Sequence, residues 1–427
     1  MSVSVSASLA LALYVQAVDP AELQRAIRAD EAARGAAQTP AAPTPPPPGA
    51  TGVIAADNAQ QAVRAPGTSL LNPAMSVILD ATFGYYGKST ADFLALGLPI
   101  AGDDPALALP GTYGKEGFGV QEVELAATAA IDPYLDGALF LTIPNLEGIE
   151  VEEAYLVTTA LPANLQVKAG TFRSQLGRNN SQHLHVQNFT RRPLMLPLLF
   201  GTDGLRGPGA QVSVLLPLPW FATFYTEAFS IGGPGDFVVE TFGGGERATP
   251  RDLTYSAVLE QSWDFGENTA VVLGLNGATG KLFQCIGVAT CDAALQPAPR
   301  TYLYGGDFYL KWKPANVAQS YASFQWTTEF FARTIASGPT EGAGYTEGVL
   351  QFARRWYAGA RFDIAGLPSG ANMPRRYGAA ASLTFAPSEF SRFRVYAQEL
   401  DGPGAPSSTV GFLQAEYSMG AHGAHPF

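Results

Sequence analysis

The chain has 427 residues and a formal net charge of −11, so it lacks the basic surface that nucleic-acid binding requires. Charged residues make up only 15% of the chain and the mean hydropathy is +0.06, a balance that suits a protein facing lipid on one side. No run of about 18 apolar residues occurs, which excludes a membrane-spanning helix and leaves a closed β-barrel as the way to cross a bilayer.

The first 36 residues resemble an export signal followed by a helix. The apolar stretch Leu9–Val15 and the small-residue ending of 1–17 predict a signal peptide, although the usual basic start is missing; a short buried strand is the alternative. In 18–36, Asp19 can cap a helix whose first turn contains Pro20. This predicts a short periplasmic helix, either a coiled-coil stub that helps to trimerise the barrel or a frayed exposed helix.

Residues 37–71 form a linker rich in Pro and Ala. Its first part, AQTPAAPTPPPPGAT, favours an extended and semi-stiff chain. We therefore predict a domain boundary here, with an outer-membrane β-barrel over 72–427.

Alternation of apolar and polar residues dominates the barrel region. In Ser76–Tyr85, for example, Val77, Leu79 and Phe83 share one face, and Ile78 is the one misfit on the other. A period of two with one apolar face indicates a half-buried strand. The pattern predicts an all-β fold, a transmembrane antiparallel barrel of about 16 strands starting near residues 76, 117, 135, 149, 165, 209, 220, 251, 269, 301, 320, 344, 356, 376, 391 and 408.

The lengths of the links between these strands also favour a barrel. Every second link is short, as at 132–134 and 354–355, whereas most of the others are long, as at 87–116, 174–207 and 333–343. Outer-membrane barrels alternate short periplasmic turns with longer outer loops, and a soluble sandwich has no reason to do so. Aromatic rings at the predicted strand ends fit interfacial girdles: Tyr85, Tyr86, Trp220, Trp263, Trp312 and Trp356.

Charged residues of both signs fall on the inward faces. A barrel of this size is wide enough for an aqueous channel, so these side chains either solvate the lumen or form a charged filter. The inward acids include Glu122 and Glu124, and the inward bases are Lys168, Lys311, Lys313, Arg361, Arg392 and Arg394.

The third outer link, 174–207, is the best candidate for a constriction. It contains the apolar patch Leu194–Phe200, which would be unfavourable in open water, together with several bases. We expect it to fold into the lumen and narrow it; a packed extracellular lid is the alternative. The bases in or just below this link are Arg173, Arg178, Arg191, Arg192 and Arg206.

The cysteines and histidines each come in close pairs. Cys285 and Cys291 lie in one apparent loop, which in an exported protein predicts a disulfide, with two free thiols as the alternative. His183 and His185 are weak candidates for metal ligands, because two imidazole nitrogens are too few for a tight site; hydrogen-bonding or packing roles are the alternative. The second pair, His422 and His425, belongs to the opposite end of the barrel, so no joint site of four histidines is expected. We expect no cofactor and no catalytic residues.

The chain ends with an aromatic residue after an alternating segment. Ser408–Met419 alternates, and Phe427 closes the chain. A terminal aromatic after a strand is typical of bacterial outer-membrane barrels, which predicts that cellular location.

Three stretches resemble one family of such barrels. They are Leu165–Ser174 (LQVKAGTFRS), the loop motif 176–180 (LGRNN) and Gly207–Val214. Together they resemble the fifth strand, third loop and sixth strand of bacterial outer-membrane porins of the phosphate-selective type. The resemblance implies a sixteen-stranded barrel, often trimeric, with an inward third loop and a lysine-lined pore, for which Lys168, Lys311 and Lys313 are the candidates. The acidic net charge departs from that pattern.

The predicted barrel, its polar interior and its third outer link thus favour a passive porin for small hydrophilic solutes or ions. Its expected partners are outer-membrane lipid, lipopolysaccharide, those solutes and two further copies in a homotrimer. The alternatives are a structural outer-membrane tether using the N-terminal helix and linker, a metal-related uptake protein suggested by the paired histidines, or an outer-membrane enzyme. A plugged receptor would need about 22 strands, and too few residues precede the first strand here to form a plug.

Overall fold

The computed structural model describes residues 73–87, 117–146, 148–201, 204–231, 253–281, 300–315, 320–368, 373, 375–403 and 405–420. The predicted signal peptide 1–17, helix 18–36 and linker 37–71 lie outside these residues, as do Cys285, Cys291, the pair His422 and His425, and Phe427. Those interpretations remain predictions. In the part of the chain that is described, no helix is long and apolar enough to cross a membrane.

The described chain forms sixteen antiparallel strands. They are β1 Ala74–Tyr86, β2 Gly117–Asp132, β3 Leu135–Pro144, β4 Glu150–Thr158, β5 Leu165–Arg173, β6 Arg206–Leu215, β7 Phe221–Phe229, β8 Thr254–Phe265, β9 Thr269–Lys281, β10 Arg300–Trp312, β11 Ser323–Ile335, β12 Thr340–Ala353, β13 Trp356–Pro368, β14 Arg376–Ser388, β15 Ser391–Gly402 and β16 Ala405–Gly420. The predicted number is confirmed.

The sheet closes on itself. Each strand pairs with its neighbours in the chain, and β1 pairs with β16 from Ser76 opposite Gly420 to Tyr86 opposite Val410. Closure leaves no unpaired sheet edge, which is the condition for a sheet to exist in hydrocarbon.

The alternation in the sequence sorts side chains between the two faces of the barrel. On β1, Met75, Phe83 and Tyr85 are exposed on the outside, whereas Asp80 and Thr82 are buried inside. Ile78, the misfit in the pattern, is also buried inside. The apolar outer face and polar inner face are those of a barrel whose outside contacts lipid.

Some strands are longer than the sequence predicts. β11 continues to Ile335 and β12 begins at Thr340, so the predicted long link 333–343 contains only the four-residue turn 336–339. The hydroxyls of Thr334 and Thr340 lie 3.0 Å apart across this hairpin. The ends of these two strands contain polar residues, so apolar–polar alternation does not predict that the strands continue there.

The aromatic residues at the strand ends mostly face outward. Trp220, Trp312 and Trp356 are more than one-third exposed, as expected for rings at a membrane interface. The prediction for Tyr86 is wrong: its ring points inward and packs edge-to-face on Phe412, with centroids 5.7 Å apart. The period of two explains this, because adjacent residues Tyr85 and Tyr86 cannot share a face.

Candidate functional site

The segment 174–205, which we call the third loop, connects β5 to β6 and contacts the inner wall of the barrel. Near its start, the Gln175 N–H donates to Glu227 Oε1 of β7 at 3.0 Å and the Gly177 N–H donates to Asn276 Oδ1 of β9 at 3.0 Å. The Asn179 N–H then reaches Glu329 Oε1 of β11 at 2.7 Å.

The second half of the loop contacts the opposite part of the ring. Thr190 donates to Gln414 of β16 at 2.9 Å, and Arg191 Nη1 donates to Gln398 of β15 at 2.9 Å. The Leu194 N–H donates to Asp363 of β13 at 3.0 Å. Since these partners are inward side chains, this half of the loop also lies against the inner wall of the barrel.

The apolar patch of the loop packs against the same wall. Helix α1, Met195–Leu199, and the following Phe200 are mostly buried, and the Phe200 ring lies edge-to-face on Phe331 of β11 with centroids 5.2 Å apart. Arg333 Nη1 donates to the Leu198 carbonyl at 3.3 Å. Burial of this patch explains why a loop can carry so many apolar residues.

Asn180 joins the two ends of the loop. Its Nδ2 donates to the carbonyls of Ser174 at 2.9 Å and Leu205 at 3.1 Å, and its Oδ1 accepts the Leu205 N–H at 2.6 Å. Gly204 beside it has φ +83°, and a Cβ there would lie 2.5 Å from Asn180 Oδ1. The position therefore needs glycine.

Most of the predicted lumen bases are engaged with neighbours. Arg361 Nε donates to Asp363 at 3.0 Å, and Arg392 forms an ion pair with Glu416. Arg394 Nη1 donates to Gln414 at 2.8 Å. Each of the three also donates to a backbone carbonyl of the third loop: Arg191, His185 and Gln187 respectively. These arginines hold the loop against β13 and β15.

The remaining predicted bases occupy different settings. Lys168 is buried, with its ammonium over the rings of Tyr155 at 4.7 Å and Phe172 at 5.5 Å. Arg173 is buried and paired with Glu152. Arg192 is partly exposed, Lys311 lies near the end of β10, and Lys313 follows that strand. Lys168 therefore lacks the open position that a pore-lining lysine needs.

A polar gap remains between the loop and the strands β10–β12. Arg178, partly exposed, stacks on Tyr309 with its guanidinium carbon 3.7 Å from the ring centroid. Asn188 Nδ2 donates across the gap to Glu347 Oε1 at 3.0 Å. Gln182, Gln325 and Tyr345 also line it.

The two loop histidines meet carboxylates of β2 and β4. His183 Nδ1 lies 3.0 Å from Glu124 Oε2, and its Nε2 lies 2.7 Å from Glu153 Oε1. His185 Nδ1 lies 3.2 Å from the same Glu124 oxygen. Burial by itself lowers the pKa of His183, but Glu152 and Glu124 outweigh burial and hold that pKa well above its usual value.

The sequence predicts that Glu122 and Glu124 face inward and that the histidines lie in the loop, but it does not predict that they contact each other. It also missed Glu152 and Glu153. Two adjacent carboxylates in a strand that otherwise alternates could have indicated a bulge there.

No family model matches the sequence. An uncharacterized protein of Aquifex aeolicus (strain VF5) is 30% identical over 394 residues, an alignment that covers 83% of this chain and 80% of that protein. The chain belongs to the family of this Aquifex protein.

This chain has the fold of outer-membrane porins. The anion-selective porin from Comamonas acidovorans has a TM-score of 0.52 at 10% identity, covering 82% of this chain and 99% of the porin. The trimer form of OmpT from Vibrio cholerae has a TM-score of 0.51 at 12% identity, with the same coverage. At such identities the likeness shows the fold alone: a closed outer-membrane barrel of the porin type.

Proposed function

We propose that this protein is an outer-membrane porin whose water-filled channel lets small hydrophilic solutes or ions diffuse passively, and that the third loop narrows the channel. The observation that carries the proposal is the set of hydrogen bonds from one loop to inward side chains of β9, β11, β13, β15 and β16. A loop held at so many points on the wall reduces the free cross-section at that level of the barrel.

The narrow passage would run between the loop and β10–β12. What supports this position is the exposure of the loop there: Arg178, Gln182 and Asn188 are partly exposed, whereas neighbouring residues such as Asn179 and His185 are buried. The wall opposite is polar, with Tyr309 and Glu347. Polar groups on both sides suit the passage of hydrated solutes.

The preference between anions and cations is a finer part of the proposal. Arg178 and Lys311 put positive charge near the passage, which favours anions, while Glu347 lies on the same gap. A phosphate-selective pore would rely on Lys311 and Lys313, since Lys168 is covered by two aromatic rings. The Comamonas porin, which has a similar fold, is anion-selective. We propose the same preference for this chain.

We further propose a homotrimer. The Vibrio structure of similar fold is described as a trimer form. An apolar groove on the outside of the barrel, lined by Phe83, Phe118, Trp356, Phe393 and Leu413, offers a surface that a second copy could cover. Native mass spectrometry of the detergent-solubilised protein should give the mass of three chains; a monomer at all concentrations would contradict this part of the proposal.

Single-channel recording in planar lipid bilayers tests the function. The folded protein should produce stepwise ion currents, and a variant lacking residues 18–70 should keep them, because the barrel alone forms the pore. Heat-denatured protein from the same preparation is the control. If folded barrel inserted into the bilayer carries no current, the proposed function is wrong.

A further inference from the structure

Six side chains converge on one point of the inner wall. Two come from the third loop, two from β2 and two from β4. We call them the His–Glu cluster: Glu122, Glu124, Glu152, Glu153, His183 and His185.

A β-bulge on β4 turns an extra carboxylate, that of Glu152, into this cluster. On β2, Glu122 and Glu124 reach the inner face by ordinary alternation, and a bulge next to Glu122 adds only the amide of Gln121 to that face. On β4, Phe140 pairs with Glu153 and Leu141 with Val151, so Glu152 is unmatched. A bulge turns two consecutive residues towards one face, and bulges often redirect side chains beside functional sites.

The ligand atoms have the spacing of a metal site. Glu124 Oε2 lies 3.0 Å from His183 Nδ1 and 3.2 Å from His185 Nδ1, and the three residues offer atoms that all lie within 4.8 Å of one another. Ligands about 2.0–2.1 Å from a tetrahedral zinc ion are separated by about 3.3 Å. Small side-chain adjustments would therefore admit an ion.

The surroundings of His183 fix its orientation for this role. With Nε2–H donated to Glu153 Oε1 at 2.7 Å, displacement of the Nδ1 proton by a metal ion would leave the Nδ1 lone pair pointing towards Glu124. Glu153 is itself held by the Arg173 N–H at 3.1 Å. A carboxylate behind a ligating imidazole is the usual arrangement around protein-bound metal ions, because it sets the tautomer and makes the nitrogen more basic.

Two carboxylate oxygens in the cluster are buried without a hydrogen bond from the described residues. They are Glu122 Oε1, 4.0 Å from His185 Nδ1, and Glu152 Oε2, 3.3 Å from His183 Nδ1. The other oxygen of Glu152 accepts from Arg173 Nε at 3.0 Å, which leaves Oε2 facing the histidines. Glu152 Oε2 only shares His183 Nδ1 with Glu124, and Glu122 Oε1 has no donor among the described residues. Buried carboxylate oxygens with incomplete hydrogen bonding are unfavourable, and a cation between them and the imidazoles would satisfy both.

We propose that the His–Glu cluster binds one divalent transition-metal ion of the zinc class, with His183, His185 and Glu124 as ligands and Glu122 or Glu152 as a further oxygen ligand. Imidazole with carboxylate suits zinc, copper and nickel, whereas magnesium and calcium take sites built from oxygen alone. The ion links the third loop to β2 and neutralises carboxylates that outnumber the nearby bases. The site does not depend on the proposed channel function.

Zinc binding to the full chain in detergent tests this inference. After dialysis against a chelator, isothermal titration calorimetry with zinc chloride should show one site per chain. The double variant H183Q/H185Q should bind zinc more weakly by a factor of ~100 or more. Loss of a residue that only hydrogen-bonds to a metal ligand already weakens binding by ~10–100-fold. The variant H422Q/H425Q removes two histidines at the chain terminus and should bind like the unchanged protein.

Further measurements distinguish the loss of metal ligands from misfolding of the variant. E124Q keeps both histidines and should also bind more weakly, while circular dichroism checks that each variant retains its barrel. X-ray absorption of the zinc-loaded, unchanged protein should show two imidazole nitrogens together with oxygen ligands.

Three results would overturn the inference. They are no zinc uptake by the unchanged protein, zinc ligation by oxygen alone, and loss of the site in H422Q/H425Q while H183Q/H185Q retains it. In the first case, a protonated His183 between Glu124 and Glu153 would be sufficient to hold the loop. Calorimetry reports these outcomes whether or not the barrel conducts ions, so failure here is distinct from failure of the porin proposal.

Discussion

The guanidinium carbon of Arg178 lies 3.7 Å from the centroid of the Tyr309 ring, so the third loop places a cation on the wall formed by β10. A cation over an aromatic face is attracted to the ring, and this contact holds the charge beside the polar gap. Tyr309 is followed two positions later by Lys311, on the same face of the strand. Positive charge from loop and wall is therefore concentrated at one place.

Replacing Arg178 with Gln should shift the ion preference of the channel towards cations. A unit charge about 4 Å away attracts chloride and repels potassium by about 1 kcal/mol each in water, so the permeability ratio of chloride to potassium should fall by up to about thirtyfold. The reversal potential in a potassium chloride gradient measures this ratio. Arg355→Gln, which removes the same charge from the exposed turn after β12, is the control and should have no effect. Equal reversal potentials for both variants would place the passage elsewhere.

Truncating Phe200 should loosen the third loop and widen the channel. Phe200 is fully buried and packs on Phe331, and replacing a buried phenylalanine with alanine destabilises by about 3–5 kcal/mol. We expect a larger single-channel conductance for Phe200→Ala and faster cleavage of the loop by added protease. Leu184→Ala, at a partly exposed position of the same loop, should change both much less. An unchanged conductance for Phe200→Ala would argue against a constricting loop.

Arg361 cannot be replaced by lysine without freeing part of the loop. Its Nε donates to Asp363 at 3.0 Å and its Nη1 donates to the Arg191 carbonyl at 2.8 Å, a fork that a single ammonium group cannot reproduce. Arg361→Lys should lower the free energy of local opening by roughly 1–3 kcal/mol, because buried acceptors lose their donors.

Hydrogen-exchange mass spectrometry checks the effect of Arg361→Lys. Amides of residues 188–196 should exchange faster than in the unchanged protein, and those in β1 should not. Arg355→Lys makes the same chemical change at an exposed position and is the control. The hypothesis that Arg361 anchors the loop fails if the two variants protect residues 188–196 equally.

Gly170 should tolerate no side chain. Its φ is +138°, and a Cβ there would lie 2.2 Å from the Ala154 carbonyl oxygen and 2.7 Å from Tyr155 Cα on the paired strand β4. Gly170→Ala should lower the free energy of unfolding by about 1–3 kcal/mol from backbone strain, with the clash added. Urea unfolding of the protein in lipid vesicles, followed by tryptophan fluorescence, measures the change.

Gly277 supplies the matched control for Gly170. It also lies inside a strand, β9, but a Cβ there would meet no atom within 4 Å. Gly277→Ala should therefore leave the unfolding midpoint nearly unchanged. Similar midpoints for both variants would mean that the sheet relaxes around Gly170.

The barrel could be predicted from the sequence because strand periodicity is local. In Ser76–Tyr85, for example, the ten residues are sufficient to show which side chains share each face. The observed strand β1 begins two residues earlier and ends one residue later than predicted. Even the wrong prediction for Tyr86 arose from ignoring that period. The turn at 336–339 was harder, because polar side chains inside a strand resemble a loop.

The sequence by itself determined a closed barrel with a polar interior and a third loop too apolar to remain in water, since both follow from the order of neighbouring residues. Only the tertiary structure decided where that loop attaches and what its histidines meet. His183 contacts Glu124 and Glu153, which are 59 and 30 positions away in the chain. Such contacts depend on which strands pair, on the bulge at Glu152, and on which inner-wall residues the loop contacts, and none of these has a signature in the residues adjacent to His183.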